Sequence, residues 1–599
     1  MNKKEHYLNN FDLIICIWKN ISKKRKIQVF LLFIVMLSSG FAESFSIGLV
    51  IPFIGALTDP EKVWNNTNFS IFAKILGLNG PNEILLPIVL IFGFAALLSG
   101  FIRIINLNFN LKLAAALTSD LSVKAYKKTL YQEYKIQIQK NSSETISTII
   151  TESTQTSRVL NYIMLFITSS IIFLCVLLTL FIINYKVASI AILVFGSSYL
   201  LIAKLSKNKL VKNSKLVTKA NQSQMKVLQE GIGAIKDVLL KSNQEIFINI
   251  FKKEERLLRN RQAENAFIAY FPRYMMESLG LLLIAIISYL LINEKDNINE
   301  VLPLLGVLAI GAQRLIPSLQ QIYTNWAGIK DRSASVQSVL RIAEMEMPIQ
   351  LKPTNRVVPI SENLIKIKSL SFDYQKNINT LENINLEIQK GQNIGIIGTT
   401  GSGKTTLMEI LMGLIPPKEG YIQINDEDIY SERNKQLLVN WRSSISYVPQ
   451  NIFLSDFSIK ENVAFGLNKK DININKVKLA CKAAQIEKYI ESTPYKYDGL
   501  VGERGISLSG GQCQRIAIAR ALYENKDFLF LDEATSSIDT ITEQKIMDSI
   551  VKLYSQKTII MIAHRISTLK YCNKVIELKE GKILKIHGKE WINNKCNDQ

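Results

Sequence analysis

Six apolar stretches, at about 28–57, 84–108, 159–183, 187–206, 266–292 and 300–325, limit what this chain can fold into more than any other feature. Each is near or above the ~20 residues that an α-helix needs to cross a hydrocarbon layer. Hydrocarbon offers no partner to a backbone N–H or C=O, so a spanning stretch must satisfy its own, and a helix does so. From about Pro353 onward the apolar residues come in short blocks, the pattern of a mixed α/β domain with an aqueous surface. With 599 residues the chain is too long for one core. The reading is therefore an N-terminal segment (1–26), a six-helix membrane domain with helical extensions (27–330), a linker (331–359) and an α/β domain (360–599).

A formal net charge of +21 suits either a nucleic-acid binder or a membrane protein with basic cytoplasmic loops. The apolar stretches favour the second, so nucleic acid is not the expected partner. Residues 1–26 hold seven Lys/Arg, including Lys23-Lys24-Arg25-Lys26, and the connections at about 109–158 and 204–262 hold seven and fourteen. The intervening connections hold only Lys62, Lys74, Lys186 and Lys295. The positive-inside rule then puts both termini and the C-terminal domain in the cytoplasm. Within the two basic connections, Leu111–Tyr131 and Lys219–Leu240 have helical spacing and few breakers. They are either solvated basic helices or projections that dock on the C-terminal domain. The segment 68–78 is too short to span and reads as an amphipathic helix on the outer surface or as a plain loop. The first stretch is too long for a cleaved signal peptide. Six scattered cysteines without a CxxC pair suggest neither a zinc site nor a disulfide framework.

The second half carries chemistry. A buried strand, Asn393–Ile397, leads into Gly398-Thr399-Thr400-Gly401-Ser402-Gly403-Lys404-Thr405 and a helix beginning near Thr406. This is G-x-x-x-x-G-K-[ST] in its required strand–helix context. Glycines let backbone N–H groups wrap phosphates, and the helix N-terminus adds its positive end. Lys404 would reach the β- and γ-phosphates and Thr405 would ligate Mg²⁺. A second apolar strand, Phe528–Leu531, ends in Asp532-Glu533. Asp532 is placed to hold Mg²⁺, and Glu533 to polarise the attacking water.

Leu508-Ser509-Gly510-Gly511-Gln512 resembles the signature of ATP-binding cassette (ABC) proteins, and that family's other motifs follow in order. The resemblance covers about 360–585. It implies that Tyr374 stacks on adenine, that Gln450 contacts Mg²⁺ and senses the γ-phosphate, and that His564 donates to that phosphate. It implies too that Asp539 belongs to the loop after the catalytic carboxylate. Gly502-Glu503-Arg504-Gly505 resembles the segment that touches the membrane domain in the family's exporters. Ser509, Gly510, Gly511 and Gln512 would contact ATP held by a second subunit, so a homodimer is implied. ATP and Mg²⁺ are the expected cofactors. The fold class is an α-helical membrane domain with six spans plus an α/β P-loop cassette, resembling an exporter-type half-transporter. With about 26 residues before the first span, no N-terminal peptidase domain is expected.

Charge inside the membrane bears on the cargo. Arg103, Arg273 and Arg314 fall in three spans, where an arginine costs about 2.5–3.5 kcal/mol on insertion scales and so faces a cavity or a partner. Arg273 and Glu277 are four apart and form one possible pair; Glu43 lies in the first span. Together the arginines would suit a pyrophosphate. Ala42–Ile54, Pro272-Arg273 with Glu277, and Gln313–Pro317 resemble bacterial lipid-linked oligosaccharide flippases. That likeness implies ATP-driven movement of an undecaprenyl-pyrophosphate glycan, an anionic lipid-linked substrate, across a bacterial inner membrane. Other amphipaths (lipid A, phospholipid, drugs) are the nearest alternatives, and a soluble ABC ATPase acting on nucleic acid a distant one.

Overall fold

The computed structural model describes residues 10–58, 60–64, 80–183, 185, 189–190, 192–294, 298–348, 351–353, 365–375, 378–502, 505–563 and 565–597. The chain divides into two compact units. One comprises residues 1–132 and 137–347; the other comprises Glu133–Ile136 together with Pro348–Gln599. The segment 68–78, Glu503, Arg504 and His564 lie outside the described residues.

The first unit is helical among its described residues. Its longer helices are α1 (Asn10–Asn20), α2 (Lys23–Gly48), α3 (Leu85–Leu130), α4 (Ser153–Ile183), α5 (Ser197–Gly233), α6 (Gln244–Glu294), α7 (Ile298–Asp331) and α8 (Ser333–Ala343). Three helical stretches among the described residues, Lys23–Leu57, Leu85–Leu130 and Ser142–Ile182, are long and apolar enough to cross a membrane. The spans expected at 187–206, 266–292 and 300–325 fall on α5, α6 and α7, parts of whose neighbourhood are not described. α2 packs on α3 and α4, α4 on α7, and α5 on α6, which packs in turn on α7.

Proline shapes two of these helices. The first span is one apolar stretch in sequence, yet α2 stops at Gly48 and a separate helix runs over Val50–Thr58. Pro52 has no N–H to return to the Gly48 carbonyl four residues back, which is where the helix breaks. In α6, Pro272 is tolerated in the interior. The carbonyl it leaves without a helical donor is that of Ile268, and the Tyr323 hydroxyl of α7 donates to it at 3.1 Å. Thr324 Oγ1 donates to the next carbonyl, Ala269, at 3.4 Å.

Among its described residues the second unit holds ten strands. β1 (Ile365–Gln375), β2 (Ile378–Ile388), β4 (Glu419–Ile424) and β5 (Glu427–Asp428) form an antiparallel sheet in the order β2-β1-β4-β5. β3 (Asn393–Gly398), β6 (Ile445–Val448), β7 (Phe528–Asp532), β8 (Thr558–Ile562), β9 (Lys574–Lys579) and β10 (Lys582–His587) form a second sheet, ordered β10-β9-β3-β8-β7-β6. Five of its strands run parallel; β10 is antiparallel to β9. β7 is buried along its whole length, as a parallel strand covered on both faces must be. Its alternation divides two cores: Leu529 and Leu531 face one, Phe528 and Phe530 the other. Helices α9 (Lys404–Leu411), α10 (Lys435–Ser443), α11 (Gly510–Glu524) and α12 (Thr540–Leu553) complete the elements that frame the site.

Tyr323→Phe keeps the ring and removes the O–H that serves Ile268 and that also hydrogen-bonds with Ser206. Its thermal unfolding in detergent should show a loss of about 1 kcal/mol. An unchanged midpoint would mean that the carbonyl finds another donor.

Candidate nucleotide site

The parallel strands β3, β8, β7 and β6 are neighbours, so their C-terminal ends share one edge of the sheet, where open α/β sheets bind ligands. The loop after β3 leaves at Gly398, whose φ is +150°. A Cβ there would lie 2.2 Å from the Leu578 carbonyl oxygen on β9, so glycine is required. Gly403, at φ +95°, is similarly confined: its Cβ would meet the Thr380 carbonyl at 2.9 Å. α9 begins at the next residue, leaving its first N–H groups directed at the loop. Lys404 is buried, and its Nζ donates to the carbonyls of Gly398 and Thr399, each at 2.9 Å. Burial pushes its pKa below the ordinary value, with Glu533 and Asp532 partly offsetting this. Ser402 Oγ is buried with no hydrogen-bond partner among the described residues. An ammonium, an unused hydroxyl, free helix-terminal N–H groups and room that only glycine leaves together fit a polyphosphate.

Asp532 closes β7 and is buried, with the Tyr447 hydroxyl of β6 hydrogen-bonded to it. Glu533 follows at φ +49°, a left-handed conformation unusual for a residue with a side chain. Such a conformation costs about 1–3 kcal/mol and persists where surroundings enforce it. Gln450, two residues past β6, donates through Nε2 to the Glu533 carboxylate at 2.9 Å. The structure thus joins two residues that are 83 positions apart. Thr405 stands on the first turn of α9. Two carboxylates with one hydroxyl do not make an all-protein cage. They suit a hard divalent ion that keeps phosphate oxygens and water in its shell, as Mg²⁺ does.

Ser509 caps α11 in a reciprocal box: its Oγ accepts from Gln512 N–H at 3.3 Å, and Gln512 Oε1 accepts from Ser509 N–H at 2.8 Å. The cap therefore engages the oxygen of the Gln512 side chain and not its Nε2 donors. Gly511 has no room for a larger residue, since a Cβ would lie 2.9 Å from the Ser537 carbonyl. Asp539 caps α12 by accepting from Thr542 N–H at 2.9 Å, and that backbone hydrogen bond holds its carboxyl below the usual range. Tyr374 packs edge-on against Phe372, with ring centres 4.9 Å apart, and its hydroxyl donates to Glu409 at 3.0 Å.

Three residues in this neighbourhood escaped the sequence reading. Gln514, buried on α11, donates to Ser536 Oγ at 3.0 Å and accepts from Ser537 N–H at 2.9 Å. Arg565, beside His564, donates to the Ile538 carbonyl at 2.9 Å and to the buried Glu543 at 2.8 Å. Glu543 also accepts from Thr535 Oγ1 at 2.7 Å and Thr568 Oγ1 at 2.8 Å. These contacts fasten the Asp539 loop to the signature helix and to Arg565 and Thr568 beyond β8. Only the polarity of Glu543 within an apolar helix face hinted at them.

In the membrane unit the side chains of Arg103 and Arg273 are described. Arg103 on α3 lies 3.5 Å from Glu43 of α2, whose buried carboxylate also accepts from Ser99 Oγ at 2.9 Å. Arg103 thus has a partner that its own helix does not supply. Arg273 pairs with Glu277 one turn on, at 2.8 Å. The backbone of Arg314 is in α7, and its side chain is outside the described residues.

Residues 27–308 match the family described as ABC transporter transmembrane region, and residues 381–536 the family described as ABC transporter. The chain is 29% identical over 577 residues to the heterocyst differentiation ATP-binding protein HepA of Nostoc sp., covering 95% of this chain and 92% of that one. An ATP-dependent lipid A-core flippase of Desulfotalea psychrophila is 31% identical over 413 residues, 68% of this chain and 69% of the relative. The solved structure of a bacterial Atm1-family ABC exporter with ATP bound matches with a TM-score of 0.77 at 19% identity, over 96% of both chains, a likeness of fold.

Removing the Arg565 guanidinium would leave the buried Glu543 carboxylate its two threonine donors without this cation. Arg565→Met should destabilise the cassette by about 3 kcal/mol, read from its denaturant midpoint. Adding Glu543→Met should recover most of that loss.

Proposed function

The chain belongs to the ABC exporters, and from that premise we propose that a homodimer of it carries an undecaprenyl-pyrophosphate-linked oligosaccharide from the inner to the outer leaflet of a bacterial inner membrane. At a coarser level, the protein is an ABC ATPase coupled to transport, a multi-pass ATP-driven exporter or flippase with the fold of a half-transporter.

In this reading Gly398–Thr406 hold the phosphates, with Lys404 turning from the loop carbonyls to the β- and γ-oxygens. Thr405, Asp532 and Gln450 would hold Mg²⁺, which when bound neutralises charge on those oxygens. Glu533 orients and polarises the attacking water, and the Gln450 amide that now holds its carboxylate ties that act to the γ-phosphate. His564 donates to the same phosphate. Ser509, Gly510 and Gly511 serve the nucleotide of the second subunit, with Asp539 alongside.

The observation that carries the cargo is the state of Arg103 and Arg273. Each meets one carboxylate while its side chain keeps 47% and 53% exposure respectively. A guanidinium has five N–H donors, and a single carboxylate engages at most two in a fork, so both retain donors for a phosphate oxygen. Phosphorylated lipid A is the second reading, favoured by the similarity to a lipid A-core flippase.

Glu533→Gln should lower ATPase turnover about 10²- to 10³-fold while nucleotide binding persists; turnover within a few-fold of the parent would remove Glu533 from its role. In proteoliposomes, polyprenyl-pyrophosphate glycan should flip with ATP, and the triple replacement of Arg103, Arg273 and Arg314 by Gln should abolish it. Preferential transport of lipid A would favour the second reading. Undiminished flipping by the triple variant would overturn the pyrophosphate contact.

A further inference from the structure

Glu409 sits on α9, five residues past Lys404, and its two carboxylate oxygens are each engaged by a different tyrosine. Oε2 accepts from Tyr374 at 3.0 Å and Oε1 from Tyr134 at 3.1 Å. Tyr134 is remote in sequence, yet Glu133–Ile136 cluster with the cassette rather than with the helical residues on either side of them. The neighbouring Lys135 reinforces the placement, its Nζ standing 5.4 Å above the Phe372 ring, against which Tyr374 packs edge-on. Burial, and then the charge of Glu409, push the Tyr134 hydroxyl up to about 12, so it stays a donor at any physiological pH. Thr406, one turn before Glu409, also hydrogen-bonds the Tyr374 hydroxyl.

We propose that Glu409 is a positioning residue that makes ATP affinity depend on Tyr134. One carboxylate fixes the ring assigned to adenine and, on its other oxygen, a segment covalently continuous with the helical unit on both sides. The inference rests on the reading of Tyr374 as the base-contacting ring. A hydroxyl that leaves one oxygen changes the charge and orientation offered to the other. Movement of the 133–136 segment therefore alters how firmly Tyr374 is held, and nucleotide that reorients Tyr374 alters the grip on Tyr134. Such coupling is reciprocal by thermodynamic necessity. Tyr134 needs no contact with nucleotide to act in this way.

A double-mutant cycle on the full-length protein in lipid nanodiscs tests it, with KM and kcat for ATP measured separately. Tyr134→Phe should raise KM about three- to tenfold, a fraction of the about 10- to 150-fold that a hydrogen bond to a charged group is worth, because the nucleotide feels it only through Tyr374, with kcat within about twofold of the parent. In a Glu409→Leu background the same change should leave KM unaltered, and Glu409→Gln should fall between the two. Equal effects of Tyr134→Phe in both backgrounds, no effect in either, or a fall in kcat and thermal midpoint without a change in KM would each overturn the proposal. Tyr374→Ala separates the two ideas: an unchanged KM there would remove the base contact itself, whatever the cycle gives. The flipping assay is independent of both.

Discussion

The nucleotide site depends on one close approach, that of the Gly398 backbone to the Leu578 carbonyl. At 2.2 Å from a hypothetical Cβ, that oxygen forbids any other residue. It also fixes where β3 releases the chain. From there Gly401 and Gly403, both at positive φ, turn the loop back so that α9 starts at Lys404 with its N–H groups facing inward. The positions of Lys404, Thr405, Thr406 and, a turn later, Glu409 are then set by helical geometry alone. A carboxylate that meets two tyrosines is in this sense a consequence of where a glycine had to be.

What could be read from sequence and what could not follow from the range over which each interaction acts. The loop 398–405 is local: every residue that shapes it lies within about a dozen positions, so spacing carries its geometry. Strands β3 and β7 were legible for the same reason, being continuous apolar runs bounded by polar ends. The Gln450–Glu533, Gln514–Ser537 and Glu543–Arg565 contacts span 83, 23 and 22 residues, and nothing in local periodicity encodes which side chains a fold will bring together. Glu43 was visible as a charge in an apolar stretch, but its meeting with Arg103 needed the packing of α2 on α3. The break after Gly48 lay within reach of the sequence, because Pro52 announces it. Length and hydropathy masked it.

Strain and polarity are concentrated where the chemistry is assigned. Glu533 holds a left-handed backbone at the end of a fully buried strand, and its carboxylate is tied by Gln450. Lys404 is buried with its ammonium hydrogen-bonded to the loop's own carbonyls. Neither arrangement would be favoured for stability alone, since an apolar or relaxed substitute would cost less. The Glu543–Arg565 pair does the opposite service. Its buried carboxylate accepts from two threonine hydroxyls, and its guanidinium donates to the Ile538 carbonyl just before Asp539.

The membrane unit solves a related problem in a different solvent. Pro272 removes a backbone donor where water is scarce, and the fold answers with Tyr323 from another helix. Arg103 and Arg273 bring charge into the same region, and the fold answers each with a single carboxylate. The two answers differ in completeness. The carbonyl of Ile268 is served inside a buried contact, whereas both guanidiniums keep about half of their side-chain surface open. A cation that served only to hold helices together would gain from being enclosed by its partner, because hydrocarbon penalises every unsatisfied N–H. Leaving donors open is favourable only if water or an anion reaches them, and the phosphate contact proposed for these arginines would supply that anion.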